Sequence, residues 1–241
     1  MPDTVNRSIS ADMDSLSVFF PCYNEQDNIR RVYESTAKVL GNLGVDYELI
    51  LVDDGSTDHT PQIVDAIAAA DPRVRVIHHP TNLGYGSALQ SGFRAATRTL
   101  VFFTDGDGQF DLSELPPLLP LMQQHDIVSC FRLDRREGLN RKFNSWCWNR
   151  LVCLLFRMQI KDINCAFKLF KRQMFDDMEL WSTGALINAE ILARATRHGY
   201  SITQVGVHHF PRTCGRPTGA HPRVIFRAFR ELVKLYRQIN R

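Results

Sequence analysis

The feature that most constrains this chain is the alternation of short apolar runs with amphipathic segments. Leu16–Phe20 (LSVFF), Tyr47–Val52 (YELILV), Val74–His78, Leu100–Thr104 (LVFFT) and Asp126–Cys130 read as strands. Between them, four segments read as helices: Glu25–Leu40, a stretch capped by Asp58 or Thr60 and running to Ala70, Gly84–Thr97, and Leu112–Gln123. Strand and helix alternating at this spacing imply βαβ crossovers, hence an α/β fold with a mainly parallel sheet flanked by helices. Such sheets bind ligands beyond the carboxyl ends of their strands. The segments to inspect are therefore Pro21–Glu25, Asp53–Thr57, Pro80–Gly86, Asp105–Gln109 and Phe131–Arg136.

The rhythm changes after residue 130. Asn140–Met158 reads as a long apolar-rich helix, Ala166–Phe170 as a strand, Ala185–Arg197 as a helix and Ile202–Val207 as a strand. A Gly/Pro loop, His208–Gly219, leads to a last helix, Pro222–Arg241. The charge changes with it. Residues 1–129 hold 8 Lys+Arg against 18 Asp+Glu, a net −10; residues 130–241 hold 21 against 8, a net +13, together the +3 of the whole. An acidic half joined to a basic half implies two tasks, one of them beside anions.

Several classes are set aside. With 44% hydrophobic and 23% charged residues, the 241-residue chain is not disordered. Its first fourteen residues are polar and acidic, unlike a secretory signal. Its longest apolar run, Leu151–Phe156, falls far short of the ~20 residues of a spanning helix. Six scattered cysteines with no C-x-x-C pair argue against a zinc ribbon or a disulfide framework and for reduced thiols in a cytosolic protein.

Three acidic clusters follow strands: Pro21-Cys22-Tyr23-Asn24-Glu25, Asp53-Asp54-Gly55-Ser56 and Asp105-Gly106-Asp107-Gly108-Gln109. Asp-Gly after a strand is a common turn, and each cluster alone is weak. Gathered at one sheet edge they repel one another unless a divalent cation or hydrogen bonds offset the charge. Asp105 and Asp107 can direct oxygens at one hard cation whose other ligands are waters and phosphate, with Gln109 adding an amide oxygen.

The order strand–PxYNE, strand–VDDGS, N-x-G-x-G, strand–DxDxQ resembles the family 2 glycosyltransferases of GT-A fold, and among them the polyprenyl (dolichyl) phosphate mannose or glucose synthases. The residues that carry it are Pro21, Tyr23, Asn24, Glu25, Val52–Ser56, Asn82, Gly84, Gly86, Asp105, Asp107 and Gln109. The resemblance runs from residue 16 to about 219. It implies a polar tail (1–15), a GT-A catalytic domain (16–219) with a nucleotide and metal half (16–129) and an acceptor half (130–219), and a basic amphipathic helix (220–241). A GDP- or UDP-linked sugar would be bound by Pro21, Tyr23, Asn24, Glu25, Asp53, Asp54, Asn82, Gly84, Asp105 and Gly106. Mg²⁺ or Mn²⁺ would sit on Asp105, Asp107 and Gln109 and neutralise the departing diphosphate. Arg132, Arg141, Lys142, Lys168 and Arg212 would hold the phosphate of a polyprenyl phosphate acceptor through charge-assisted bonds. Asp107, Arg132 and Arg212 would be catalytic, with Asp162 as the base should the acceptor be a hydroxyl; single displacement would invert the anomeric carbon.

The match is incomplete. Asp162-Ile163-Asn164-Cys165-Ala166-Phe167-Lys168 has alanine where the group carries glycine, and Pro217-Thr218 stands where a Ser-Lys often follows the R-x-x-G loop of Arg212. Arg135 and Arg136 read either as a solvated loop or as part of the basic cluster. Glu190 reads as a helix-surface residue, as a partner for Arg194 at i+4, or as the acid the group carries there.

Two helices bear on the surroundings. Asn140–Met158 is either a core or dimer helix or one lying in a membrane interface. In the last helix, Arg223, Arg227, Arg230, Lys234, Arg237 and Arg241 line one face, opposite Ile225, Phe229, Leu232, Tyr236 and Ile239. A one-sign face suits an anionic membrane surface. The expectation is a cytoplasmic enzyme peripherally associated with the cytoplasmic face of a membrane, with no nucleic-acid partner. Two rivals are a family 2 transferase acting on a saccharide hydroxyl and a nucleic-acid-binding protein using the basic half, with Trp146, Trp148 and Tyr236 for stacking.

Overall fold

The structure, a computed structural model, describes residues 15–133, 139–212 and 222–239. Seven strands, β1 (Ser15–Cys22), β2 (Asp46–Asp53), β3 (Val74–His78), β4 (Leu100–Thr104), β5 (Ile127–Arg132), β6 (Phe167–Lys171) and β7 (Ile202–Val207), form one sheet in the order β3-β2-β1-β4-β6-β5-β7. The pairs β1–β2, β1–β4, β2–β3 and β5–β7 are parallel, while β6 runs antiparallel to both β4 and β5. The sheet is the mainly parallel one expected. β1, β2 and β4 are buried along nearly their whole length, as a sheet covered on both faces requires. β6 runs against its neighbours because the chain returns to the sheet at the end where β4 and β5 finish, so Phe167 pairs with Thr104.

The helices are α1 (Ile29–Gly41), α2 (Thr60–Ala70), α3 (Tyr85–Ala95), α4 (Leu139–Phe156), α5 (Ile187–Arg197) and α6 (Pro222–Ile239). α1 begins four residues later than its apolar spacing suggests. The backbone carbonyl of Glu25 accepts from the N–H groups of Asn28 and Ile29, so the first turn lies outside the helix. At α2, Asp58 Oδ1 accepts from the Thr60 N–H at 2.9 Å and Pro61 occupies the first turn. The expected helix Leu112–Gln123 is instead two 3₁₀ segments, Leu112–Glu114 and Pro116–Gln123. Pro116, Pro117 and Pro120 lack N–H donors and clash with the α-helical turn before them.

One aromatic cluster joins the layers: the Phe93 ring of α3 packs against Phe19, Phe103, Phe170 and Phe175, with centroids 3.9–5.7 Å apart. A side chain at Gly92 would enter the Phe19 ring, so glycine there lets α3 lie close on the sheet. α4 and α6 meet through Trp148 and Phe229, 5.2 Å apart, and Phe156 and Tyr236, 6.1 Å apart.

Candidate functional site

The carboxyl ends of β1, β2, β3, β4, β5 and β7 and the start of β6 share one edge, and chain order reverses between β1 and β4. That switch point is where a doubly wound sheet opens a crevice. Tyr23–Glu25 lie on one side of it and Asp105–Gln109 on the other.

The loops are tied to one another before any ligand is considered. Asn24 adopts φ 57°, a left-handed conformation that asparagine tolerates better than most residues. Its N–H donates to Ser56 Oγ at 2.9 Å and its Oδ1 accepts from the Thr57 N–H at 2.8 Å, stapling the first loop to the second. Asp53 Oδ1 accepts from the Ser56 N–H at 3.0 Å, and its Oδ2 lies 2.9 Å from His78 Nδ1. Asp54 accepts from the Leu83 and Gly84 N–H groups, each at 2.9 Å, and lies 2.7 Å from His79 Nδ1. Asp53 and Asp54 are 2% and 3% exposed; Asp54 holds the Asn82–Gly84 loop and Asp53 holds the turn at Ser56. Gly55 (φ 68°) lies so close beneath the backbone of Thr81 and Asn82 that no side chain fits. The first loop presents Tyr23, an exposed ring.

Across the crevice, Asp105 Oδ1 accepts from the Tyr85 hydroxyl at 3.0 Å and Asp107 Oδ1 accepts from the Gln109 N–H at 3.1 Å. Burial, and then the charge of Asp107, push the Asp105 carboxyl up to about 7. Glu25 is also raised, chiefly by burial. Arg212 answers this charge: its Nη2 donates to Glu25 Oε1 and to Asp107 Oδ2, both at 3.0 Å. Burial disfavours its charge, yet the Asp107 hydrogen bond and the Glu25 charge outweigh that and raise its pKa. A guanidinium thus stands on the carboxylates where a cation is wanted. The donor set is hard oxygen and mutually repulsive, which fits Mg²⁺ or Mn²⁺. Among the described residues no three His, Cys, Asp or Glu side chains are grouped so as to hold a metal ion. An ion on this acidic pair would draw its other ligands from water and phosphate.

Gln109 ties the Asp105–Gln109 loop to a distant segment. Its side-chain Nε2 donates to the Phe210 carbonyl at 2.8 Å, and its backbone carbonyl accepts from the Phe210 N–H at 2.8 Å. It clamps the segment that delivers Arg212, 105 positions from Asp107.

Arg132, at the end of β5, forms a two-pronged pair with Asp162, Nε to Oδ2 at 2.7 Å and Nη2 to Oδ1 at 3.0 Å. Both Asp162 oxygens are therefore engaged by the residue expected to hold acceptor phosphate. Lys168 departs from its expected place. It is 1% exposed, with Nζ donating to the Ile163 and Cys165 carbonyls, and burial lowers its pKa. It props the Asp162–Ala166 turn from inside, with its ammonium committed to two backbone carbonyls. Glu190 is not on the helix surface either. It is fully buried and accepts from Trp181 N–H, Ser182 N–H and Arg194 Nε. Lys142 is half-buried on α4. Arg135, Arg136 and the side chain of Arg141 lie outside the described residues, as do the polar tail up to residue 14 and the loop from 213 to 221.

Four residues at this edge escaped sequence reasoning: His78, His79, Tyr85 and Asn188. The histidine pair carries a legible signal, since it directly ends the third strand as the Asp pair ends the second. Tyr85 and Asn188 carry none.

The family model Glycosyl transferase family 2 matches residues 17–184. Glycosyltransferase AglD of Haloferax volcanii is 33% identical over 213 residues, covering 82% of this chain and 33% of AglD. Undecaprenyl-phosphate 4-deoxy-4-formamido-L-arabinose transferase of Yersinia pestis is 30% identical over 214 residues, covering 86% of this chain and 63% of that protein. The chain thus spans about a third of the first relative's length and under two thirds of the second's. Among solved structures, glucosyl-3-phosphoglycerate synthase of Mycobacterium tuberculosis with phosphoglyceric acid superimposes with TM-score 0.73 at 21% identity, over 92% of this chain and 80% of that one. The same enzyme with Mn²⁺, UDP and glucosyl-3-phosphoglycerate gives 0.63 at 23% identity, over 94% of this chain and 77% of that one. At these identities the likeness establishes the fold.

Proposed function

Because the chain belongs to glycosyl transferase family 2 and is a glycosyltransferase, we propose that it moves a sugar from a nucleotide sugar to a membrane-borne polyprenyl phosphate, with inversion and with a divalent cation. The observation that carries this reading is the placement of the arginines. Arg132 and Arg212 come from distant parts of the chain to one edge, and each is held by a carboxylate rather than by solvent. A donor diphosphate and an acceptor phosphate repel each other, and fixed guanidinium groups offset that repulsion. A hydroxyl acceptor would need a free base instead, and Asp162 is bound at both oxygens by Arg132. The acceptor phosphate is a nucleophile at neutral pH and needs none.

In this reading Tyr23 faces the base, Pro21 and Glu25 border the ribose side, and the Asp53–Asp54 pair holds the surrounding loops in register. Asp105 and Asp107 would hold Mg²⁺ or Mn²⁺, which supplies Lewis-acid neutralisation of the leaving diphosphate. Arg212 orients phosphate oxygens, and the Gln109–Phe210 clamp keeps its segment in place. The relative from Yersinia pestis is named for an undecaprenyl-phosphate acceptor, which supports a lipid phosphate. The surface supports it too. Phe143, Trp146 and Leu154 of α4 are 60–77% exposed, and Arg230, Lys234 and Arg237 of α6, the helix that packs on α4 through Phe229 and Tyr236, are exposed. Apolar side chains together with one-sign charge suit peripheral binding to anionic lipid. Among the described residues no helix is long and apolar enough to cross a membrane.

The test is transfer of labelled sugar from UDP- and GDP-sugars to polyprenyl phosphate and to the matching dephosphorylated polyprenol, both in liposomes. Transfer to the phosphate alone is expected. Equal transfer to the alcohol overturns the acceptor reading.

A further inference from the structure

Behind Asp105 lies a buried polar chain that the reaction described above does not use. The Tyr85 hydroxyl donates to Asp105 Oδ1 at 3.0 Å, and the Asn188 side chain lies beside that hydroxyl, where it partly offsets the burial that raises its pKa. Tyr85 opens α3 and Asn188 lies in the first turn of α5, so two helices converge on one carboxylate oxygen. Both ends are held rigidly. The Gly86 N–H donates to the Thr183 carbonyl at 3.0 Å, Gln90 Nε2 donates to the Ser182 carbonyl at 3.0 Å, and the buried Glu190 carboxylate accepts from the Trp181 and Ser182 N–H groups. A side chain at Gly86 would strike the Ser182 carbonyl, so α3 and the 182–184 segment are in direct backbone contact.

Asn188 is 3% exposed, and its Oδ1 has no hydrogen-bond partner among the described residues. A buried, unpaired carbonyl is destabilising, and an apolar side chain of similar shape avoids that penalty. Folding alone therefore gives no reason for an amide here. The amide lies beside the Tyr85 hydroxyl, which is the group that bonds Asp105. The phenolic hydrogen points at Asp105, and an amide N–H₂ directed at the phenolic oxygen would keep it there.

We propose that Tyr85 and Asn188 are positioning residues for Asp105, holding one carboxylate oxygen so that the other is presented to the divalent cation. This rests on the reading of Asp105 and Asp107 as metal ligands. Partners that orient a ligand contribute 10–100-fold to metal affinity in comparable sites.

The experiment titrates Mn²⁺ into the full chain with UDP or GDP present and follows free and bound Mn²⁺ by electron paramagnetic resonance. Wild type, Tyr85→Phe and Asn188→Leu are compared, with melting curves of each. Both variants should bind Mn²⁺ 10–100-fold more weakly, with an altered bound-Mn²⁺ line shape. Asn188→Leu should melt no lower than wild type, because it removes the unpaired carbonyl. Variants that bind Mn²⁺ as wild type does overturn the positioning role and leave the metal reading intact. A wild-type chain that takes up no Mn²⁺ with either nucleotide overturns the metal reading, and this role with it.

Discussion

The amino end of the sheet and the Glu25–Asp105–Asp107 group at its carboxyl end treat their carboxylates in opposite ways. At the amino end each carboxylate has a cation or a set of donors to itself. Asp71 is gripped by Arg73 at 2.9 Å, Asp126 by Lys171 at 2.8 Å, and Glu48 by Arg75, Ser17 and Thr97 at 2.7–2.9 Å. All three are held below the ordinary carboxylate range, Glu48 and Asp126 in spite of their burial. At the carboxyl end Glu25 and Asp105 are raised, and two carboxylates share one Arg212 nitrogen. The amino end gains stability from its charges. The carboxyl end gives stability up to keep a charge that a ligand can complete.

Substitutions should therefore separate activity from stability according to the end they touch. The largest effect is expected at Asp107→Asn, which removes half of the acidic pair. Sugar transfer should fall by at least about 100-fold, since the ion it would hold supplies several kcal/mol. The melting temperature should hold, because like-charge repulsion is relieved. Calorimetry and the transfer assay together check this, and a variant that unfolds would break the contrast.

Glu48→Gln is the mirror experiment. It leaves Arg75 without its charge partner and misplaces donors around a buried group, costing about 2–3 kcal/mol. That corresponds to a melting point lower by roughly 5–10 °C in a domain of this size. Transfer by the folded fraction, assayed well below the transition, should match wild type. A comparable loss of turnover would erase the distinction between the two ends.

The smallest effect concerns pH. Asp71 is drawn from 3.8 to about 2, first by the Arg73 hydrogen bond. Its folded pKa is depressed, so its contribution is present above about pH 4 and is lost as pH falls toward 2. Arg73 is half exposed, and screening reduces the value to about 1 kcal/mol. Urea unfolding of wild type and Asp71→Asn should differ by that amount at pH 6, with the gap narrowing below pH 4. A gap that does not change with pH would mean that the pair acts through packing and not through charge.

The sheet was legible because its strands are apolar along their length and its breaks carry Gly, Pro and Asp. The post-strand acids were legible for the same reason, since parallel topology alone brings strand ends to one edge. What misled was local. The prolines after Leu115 turn a helical apolar pattern into 3₁₀ segments. Lys168 has the alternation of a strand residue but points inward beneath the Asp162 turn, which no spacing reveals. Asn188 and Glu190 are buried because α5 packs against α3, a tertiary contact with no signature in either helix. The pairing of Arg132 with Asp162 was equally hidden, since 30 positions and a long helix separate them.

The most direct test is thermal melting of the wild-type chain with UDP or GDP, with Mn²⁺ or with EDTA. The acidic carboxyl edge should be stabilised when a cation and a diphosphate complete it. At about 100 times the dissociation constant this amounts to about 2.7 kcal/mol, a rise of roughly 5–10 °C. The rise should vanish in EDTA and in Asp107→Asn. An equal rise in EDTA, or one that survives Asp107→Asn, would contradict the claim that this edge is built to receive a metal-bound nucleotide.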